Sequence, residues 1–215
     1  MRISADNLAI SYGETTVFSG LSFEADSGEI IAVTGRNGSG KSSLCLALAG
    51  IFPDGAVCSG AVYIDGEDIT MLSVRDRCEK IGIIFQDSDN RIFSADVMDE
   101  LAFAPENLRF SRDNIIERIN HVADKLNIMH LLERGTQSLS GGEKQLIGIA
   151  AALVTKPAIL IADEITSGLD KGAKGRVINF LKEYAAEGNT VIMVTHAAEE
   201  LKIATKLINL DGVAV

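Results

Sequence analysis

The chain has 215 residues, of which 47% are hydrophobic and 23% charged, with a formal net charge of -10. That is the composition of a globular protein with room for a sizeable core, and the acidic balance argues against a broad nucleic-acid surface, which needs clustered Lys and Arg. Cys45, Cys58 and Cys78 show no C-x-x-C spacing, so neither a disulfide framework nor a zinc site is indicated. The first residues lack the apolar core of a signal peptide, and no window approaches the ~20 apolar residues of a membrane span. The expectation is an intracellular chain that meets a membrane only through a partner.

Residues 8–12 and 17–23 read as strands around a turn at Gly13-Glu14. Tyr12 ends the first of them. A tyrosine there either packs into the core or, just upstream of a phosphate loop, stacks on a base. The apolar run Ile30-Ile-Ala-Val33 then leads into Gly35-Arg36-Asn37-Gly38-Ser39-Gly40-Lys41-Ser42-Ser43, and a helix-patterned segment follows. The turn reads G-x-x-x-x-G-K-S with strand before and helix after, the context of a phosphate-cradling loop. Its glycines permit close backbone approach to a ligand. The N–H groups of the loop and of the helix start point at an anion. Lys41 reaches the β- and γ-phosphates, and the Ser42 hydroxyl binds the Mg²⁺ that travels with a nucleoside triphosphate.

Pro53 and Gly55 break the chain after that helix. Residues 61–64 read as a short strand, and 81–85 as a buried strand ending at Gln86, where a polar residue lies beside the ligand crevice of a parallel sheet. Residues 97–103 read as a helix ending before Pro105. Helical spacing of Ile115, Ile116, Ile119, Val122, Ala123 and Leu126 marks the clearest helix, beginning at Ser111. His121 and His130 lack a partner at i+4 and read as solvated. Leu139-Ser140-Gly141-Gly142-Glu143 opens a further helix. A serine hydroxyl, glycine N–H groups and a helix N-terminus together make a second anion site.

The strand at 158–162 delivers Asp163-Glu164. Asp163 suits a Mg²⁺ hydration shell, and Glu164 suits polarising a water for attack on a γ-phosphate. After the turn at Ser167-Gly-Leu-Asp170 comes a helix, then a buried strand at 190–195 ending at His196. That histidine repeats the strand-end placement of Gln86 and Asp163. Short strands at 206–210 and 212–215 close the chain. No internal repeat or low-complexity segment is found.

In this order, the phosphate loop, Gln86, Leu139-Ser-Gly-Gly-Glu143, Asp163-Glu164, the turn at 167–170 and His196 resemble an ATP-binding-cassette (ABC) ATPase over the whole length. The resemblance implies an α/β fold: a P-loop (RecA-like), mostly parallel sheet core, an N-terminal antiparallel β subdomain and an inserted α-helical subdomain. It implies one domain over 1–215, with 1–86 and 156–215 as nucleotide-binding core and 87–155 as the helical, signature-bearing part. By resemblance Tyr12 is the adenine-stacking aromatic, and 35–43 cradle the phosphates of ATP. Ser42 and Gln86 bind Mg²⁺ directly and Asp163 through water. Glu164 is the general base and His196 the γ-phosphate sensor. Gly141, Gly142 and Asp170 bind nucleotide, and the signature serine Ser140 completes the site of an opposite subunit, so a homodimer or paralogue heterodimer is expected.

Phe85-Gln-Asp-Ser-Asp89-Asn90-Arg91-Ile-Phe93-Ser and Asp99-Glu-Leu101-Ala-Phe103-Ala-Pro105-Glu-Asn107-Leu108 are similar to the ATPases of energy-coupling-factor (ECF) importers of vitamins, cobalt and nickel. This narrower resemblance implies that 87–108 form a groove for integral membrane subunits. It implies ATP-driven dimer closure coupled to micronutrient import, on the cytoplasmic face of the cell membrane, without nucleic acid or direct insertion. The alternatives are another ABC importer or exporter, or a soluble ABC ATPase acting on DNA or ribosomes. The last typically carries a coiled coil or a second cassette, and this sequence shows neither.

Overall fold

The computed structural model describes residues 1–85 and 92–212. The chain begins with β1 (Ile3–Tyr12), β2 (Thr15–Ala25), β3 (Ile30–Thr34), α1 (Lys41–Ala49), β4 (Ala56–Ile64) and β5 (Glu67–Asp68). A helical turn α2 (Val74–Arg77), β6 (Ile81–Ile84), α3 (Val97–Asn107), α4 (Arg112–Leu126) and α5 (Gly141–Val154) follow. The remainder comprises β7 (Ile159–Asp163), α6 (Lys171–Ala186), β8 (Thr190–Val194), the short α7 (Ala198–Leu201) and β9 (Lys206–Asn209). Two compact units result: Met1–Ile83 with Ala158–Glu164 and the chain from Tyr184 on, and Ile84–Pro157 with Ile165–Glu183.

The first unit holds both sheets. β1 and β2 pair antiparallel through the two-residue loop that Tyr12↔Thr15 closes. Gly13 has φ 57 there, as a primed hairpin turn with glycine first requires. β4 pairs with the other edge of β1, and β5 with β4, giving the order β2-β1-β4-β5. β4 starts five residues earlier than the sequence reading placed it. Gly60 hid the strand, because at that point the Asn7 carbonyl presses where a side chain would stand and the β1–β4 register shifts. The second sheet has the order β6-β7-β8-β3-β9, with β3 parallel to both β8 and β9, and β8 parallel to β7. Its inner strands are apolar except at their ends (Thr34, Asp163 and Thr190), as burial of both faces in a parallel sheet requires. The expected α/β architecture, a parallel core with an N-terminal antiparallel sheet and a helical insertion, is the one observed.

The second unit is helical. α4 starts at Ser111, whose hydroxyl accepts the Asn114 N–H, and buries the stripe Ile115, Ile119, Val122, Ala123 and Leu126. α3 runs on through Pro105 to Asn107 rather than stopping before it. Proline this close to the end removes only one backbone donor, so the last turn survives. The expected strand at 212–215 is not seen at Gly212, which ends a 3-10 turn, Leu210–Gly212; the rest of it lies outside the described residues. Among the described residues no helix is long and apolar enough to cross a membrane.

Arg77 fixes the end of α1. Its side chain is 2% exposed. Nη1 donates to Ala47 O and Leu48 O, each at 3.0 Å, Nη2 to Thr70 O at 2.7 Å and Nε to Leu72 O at 3.3 Å. Ala47 O and Leu48 O belong to the last turn of α1, where carbonyls run out of intrahelical donors; Ala47 O also accepts the Gly50 N–H at 3.0 Å. Replacing Arg77 with Met keeps the volume and takes the guanidinium donors away from all four carbonyls. Thermal unfolding is expected to show a loss of about 3 kcal/mol, read as a melting point roughly 10 °C lower; an unchanged melting point would contradict this role.

Candidate functional site

The phosphate loop spans the gap between the end of β3 and the start of α1. Gly38 and Gly40 take φ 84 and 92. A Cβ on Gly40 would collide with Val17 and Phe18, whereas one on Gly38 would meet nothing within 4 Å. The loop is thus packed on the hairpin side and open on the other. Lys41 is 8% exposed, and its amine is turned into its own loop, donating to Gly35 O at 2.8 Å and Arg36 O at 3.0 Å. Ser39 Oγ is buried with no hydrogen-bond partner among the described residues. A stranded hydroxyl beside a lysine bound to loop carbonyls marks a cradle that fits a polyanion. Ser42 is exposed in the first turn of α1. Ser43 Oγ accepts the Tyr12 hydroxyl at 3.3 Å, so Tyr12 stands at the rim of the same helix start, partly packed on the core.

Asp163 ends β7 and is 4% exposed. Glu164 follows with φ 50, a left-handed conformation that is costly for a residue with a side chain and is concentrated at functional sites. Its N–H donates to Val194 O at 3.1 Å, which ties the turn to the end of β8. Two residues beyond β8, His196 Nε2 comes to 3.8 Å from Glu164 Oε1. Ala197 N–H donates to Thr195 Oγ1 at 2.9 Å and fixes that corner. Glu164 and His196 are therefore neighbours at the C-terminal ends of adjacent parallel strands, the edge where α/β proteins bind ligands. Beneath them Cys45 is buried in α1, and burial, with the Asp163 charge, raises its pKa well above the ordinary value. That keeps the thiol neutral and unreactive.

In the second unit, Ser140 caps α5. Its hydroxyl accepts the Glu143 N–H at 3.3 Å, and Glu143 Oε2 accepts the Ser140 N–H at 2.7 Å. This capping box was legible as Ser followed three residues later by Glu, a signal the motif reading passed over. The Ser140 N–H, then its hydroxyl, then Arg134 hold the Glu143 carboxyl below the usual range. Gln145, buried in the same helix, donates to Ile165 O at 2.6 Å and so holds the chain just after Asp163-Glu164, a contact that no local pattern marks. Asp170 Oδ1 accepts the N–H groups of Gly172 and Ala173 at the start of α6, bonds that lower its carboxyl pKa.

The first unit thus gathers Tyr12, Gly35, Arg36, Asn37, Gly38, Ser39, Gly40, Lys41, Ser42, Ser43, Asp163, Glu164 and His196. Ser140, Gly141, Gly142 and Asp170 belong to the second. Gln86, Asp89, Asn90 and Arg91 lie outside the described residues. His121 and His130 are exposed, and among the described residues no cluster of three His, Cys, Asp or Glu side chains could hold a metal by itself.

Comparison with known proteins shows the family. Residues 18–167 match the family described as ABC transporter. The energy-coupling factor transporter ATP-binding protein EcfA1 of Mycoplasma pneumoniae is 38% identical over 205 residues, 95% of this chain and 74% of that protein. A putative ABC transporter ATP-binding protein of Methanothermobacter marburgensis is 37% identical over 200 residues, 90% of this chain and 70% of its own length. Among solved structures, cbiO1 from Clostridium perfringens, described as part of the ABC transporter complex cbiONQ, superposes with a TM-score of 0.77 at 34% identity, covering 91% of this chain and 78% of that one. The chain belongs to the ABC transporter family and is an ATP-binding ATPase of that family.

Proposed function

We propose that the chain is the ATP-hydrolysing subunit of an ECF-type importer of a micronutrient, a vitamin or a transition-metal ion such as cobalt or nickel. The observation that carries the ATPase part is the Glu164–His196 pair at 3.8 Å on strand ends beside the phosphate loop. On this reading Lys41 leaves the Gly35 and Arg36 carbonyls to bind the β- and γ-phosphates. Glu164 takes the proton of the attacking water, and His196 contacts the γ-phosphate. Tyr12 stacks on the adenine. Ser42 and Asp163, joined by Gln86, would hold Mg²⁺, which when bound draws charge from the phosphate oxygens. Ser140, Gly141, Gly142 and Asp170 serve the site of a second ATPase chain, in a dimer that closes on ATP.

The importer part is supported by relatives named as ECF transporter ATP-binding proteins and by a neighbour described as part of a cbiONQ complex. It is also supported by apolar surface in the second unit. Phe93 is 80% and Phe103 56% exposed. An open cavity of about 690 Å³ lies among Asp96, Met98, Met129, His130, Leu132 and other residues, and methionine-lined surfaces adapt well to a partner helix. On this reading 87–108 receive a membrane subunit, with the chain peripheral on the inner face of the cell membrane.

Lys41→Ala is expected to abolish ATP turnover, measured as phosphate release; normal turnover would sink the phosphate-loop assignment. Glu164→Gln is expected to bind ATP while turnover falls by roughly 100-fold or more, and light scattering should find an ATP-dependent dimer. A variant that stays monomeric with ATP argues against the sandwich. Phe93→Ser with Phe103→Ser should leave basal ATPase intact and weaken co-purification with the membrane subunits, and undiminished association rules out the groove.

A further inference from the structure

The 3-10 turn after β9 touches the opening of the phosphate loop. β9 pairs with β3 up to Thr34↔Asn209, so the two strands deliver Gly35-Arg36 and Leu210-Asp211 side by side. Leu210 is 2% exposed, and a Cβ built on Gly35 would stand 3.4 Å from its Cβ. Asp211 Oδ1 accepts the Arg36 backbone N–H at 2.9 Å and Arg36 Nε–H at 3.3 Å. The turn is itself held by the Asp211 N–H donating to Asn209 Oδ1 at 3.0 Å. The Arg36 side chain is 87% exposed, so its ion pair with Asp211 contributes little. The backbone N–H bond to a carboxylate is the stronger contact.

We propose that Asp211 is a positioning residue for the phosphate loop, acting through the Arg36 peptide on Lys41. The Arg36 N–H shares one planar peptide with the Gly35 carbonyl, and that carbonyl accepts Lys41 Nζ at 2.8 Å; the next carbonyl, Arg36 O, accepts Lys41 Nζ at 3.0 Å and the Ser39 N–H at 3.1 Å. Fixing the Gly35–Arg36 peptide from its N–H side therefore orients the Gly35 carbonyl that stations the lysine amine. A loop already in its binding shape spends less of the binding energy on ordering itself. Without Asp211, the peptide rotates among conformers and the amine loses its station. The effect falls on nucleotide binding rather than on the chemistry at Glu164 and His196, which stand on other strands.

The proposal rests on the phosphate-loop reading above, and the test separates the two. Steady-state ATP hydrolysis is measured for the wild-type chain, Asp211→Ala and Asp211→Asn, with melting points taken without nucleotide. Asp211→Ala is expected to raise KM for ATP roughly five- to tenfold with kcat within about twofold. Asp211→Asn keeps an oxygen acceptor for the Arg36 N–H and is expected to return KM to within about twofold of wild type. An unchanged KM in Asp211→Ala overturns the proposal while wild-type turnover upholds the phosphate loop. The proposal is equally overturned if Asp211→Asn behaves like Asp211→Ala, or if Asp211→Ala lowers kcat, KM and melting point together as general loosening would. A wild-type chain without turnover overturns both readings.

Discussion

The last carbonyls of any helix lack intrahelical partners, and three helix ends in this chain are supplied with arginine donors. Arg77 closes α1 behind the phosphate loop. Arg118 donates to Val154 O and Thr155 O at the end of α5, behind the Ser140-Gly-Gly turn. Arg176 Nε donates to Leu126 O at the end of α4. A cation at a helix C-terminus offsets the negative end of the macrodipole as well as filling the orphan acceptors. The guanidinium suits the task because its planar fork serves several carbonyls at once and stays charged when buried. Both helices with candidate anion-facing starts are closed in this way. Arg118 is steadied further by stacking 4.6 Å from the Phe110 ring centroid.

The parallel sheet does the remaining positioning. Because β3, β7, β8 and β9 run the same way, every residue that follows one of them emerges at the same edge. Gly35, Glu164, Thr195 and Leu210 are the first residues past those four strands. The phosphate loop, the acidic pair, the histidine corner and the Asp211 turn are therefore assembled by strand register, far apart though they are in sequence. The hydrogen bond from Glu164 N–H to Val194 O and that from Arg36 N–H to Asp211 join neighbouring corners.

Much of this was legible because the determining signals are local. The apolar run at β3 and β7, the glycine spacing after β3, and the helical stripe of α4 each predict their own element, and the order of motifs predicts the family. What stayed hidden depends on contacts across the chain. Nothing local marks Arg77 as buried, since its acceptors are 5 to 30 residues away. Asp211 is separated from Arg36 by 175 residues and reads as an ordinary Asp-Gly turn. Gly60 reads as a strand breaker until the Asn7 carbonyl beside it is seen. Pro105 misled in the opposite direction, because its cost depends on how much helix remains after it. The sequence around Tyr12 reads equally as packing or stacking; in the structure it packs partly on the core and bonds Ser43 through its hydroxyl.

The left-handed backbone at Glu164 sets fold and chemistry in competition at one position. A side chain held at φ 50 carries a steric penalty of about 1–3 kcal/mol that glycine would escape, at the loss of the carboxylate. Selection for thermal robustness alone would erode this residue; on the proposed general-base role, laboratory evolution screened only on solubility or melting point has a ready route to an inactive, better-behaved chain. Retaining a carboxylate there is thus a trade-off in which activity is kept against the backbone's own preference.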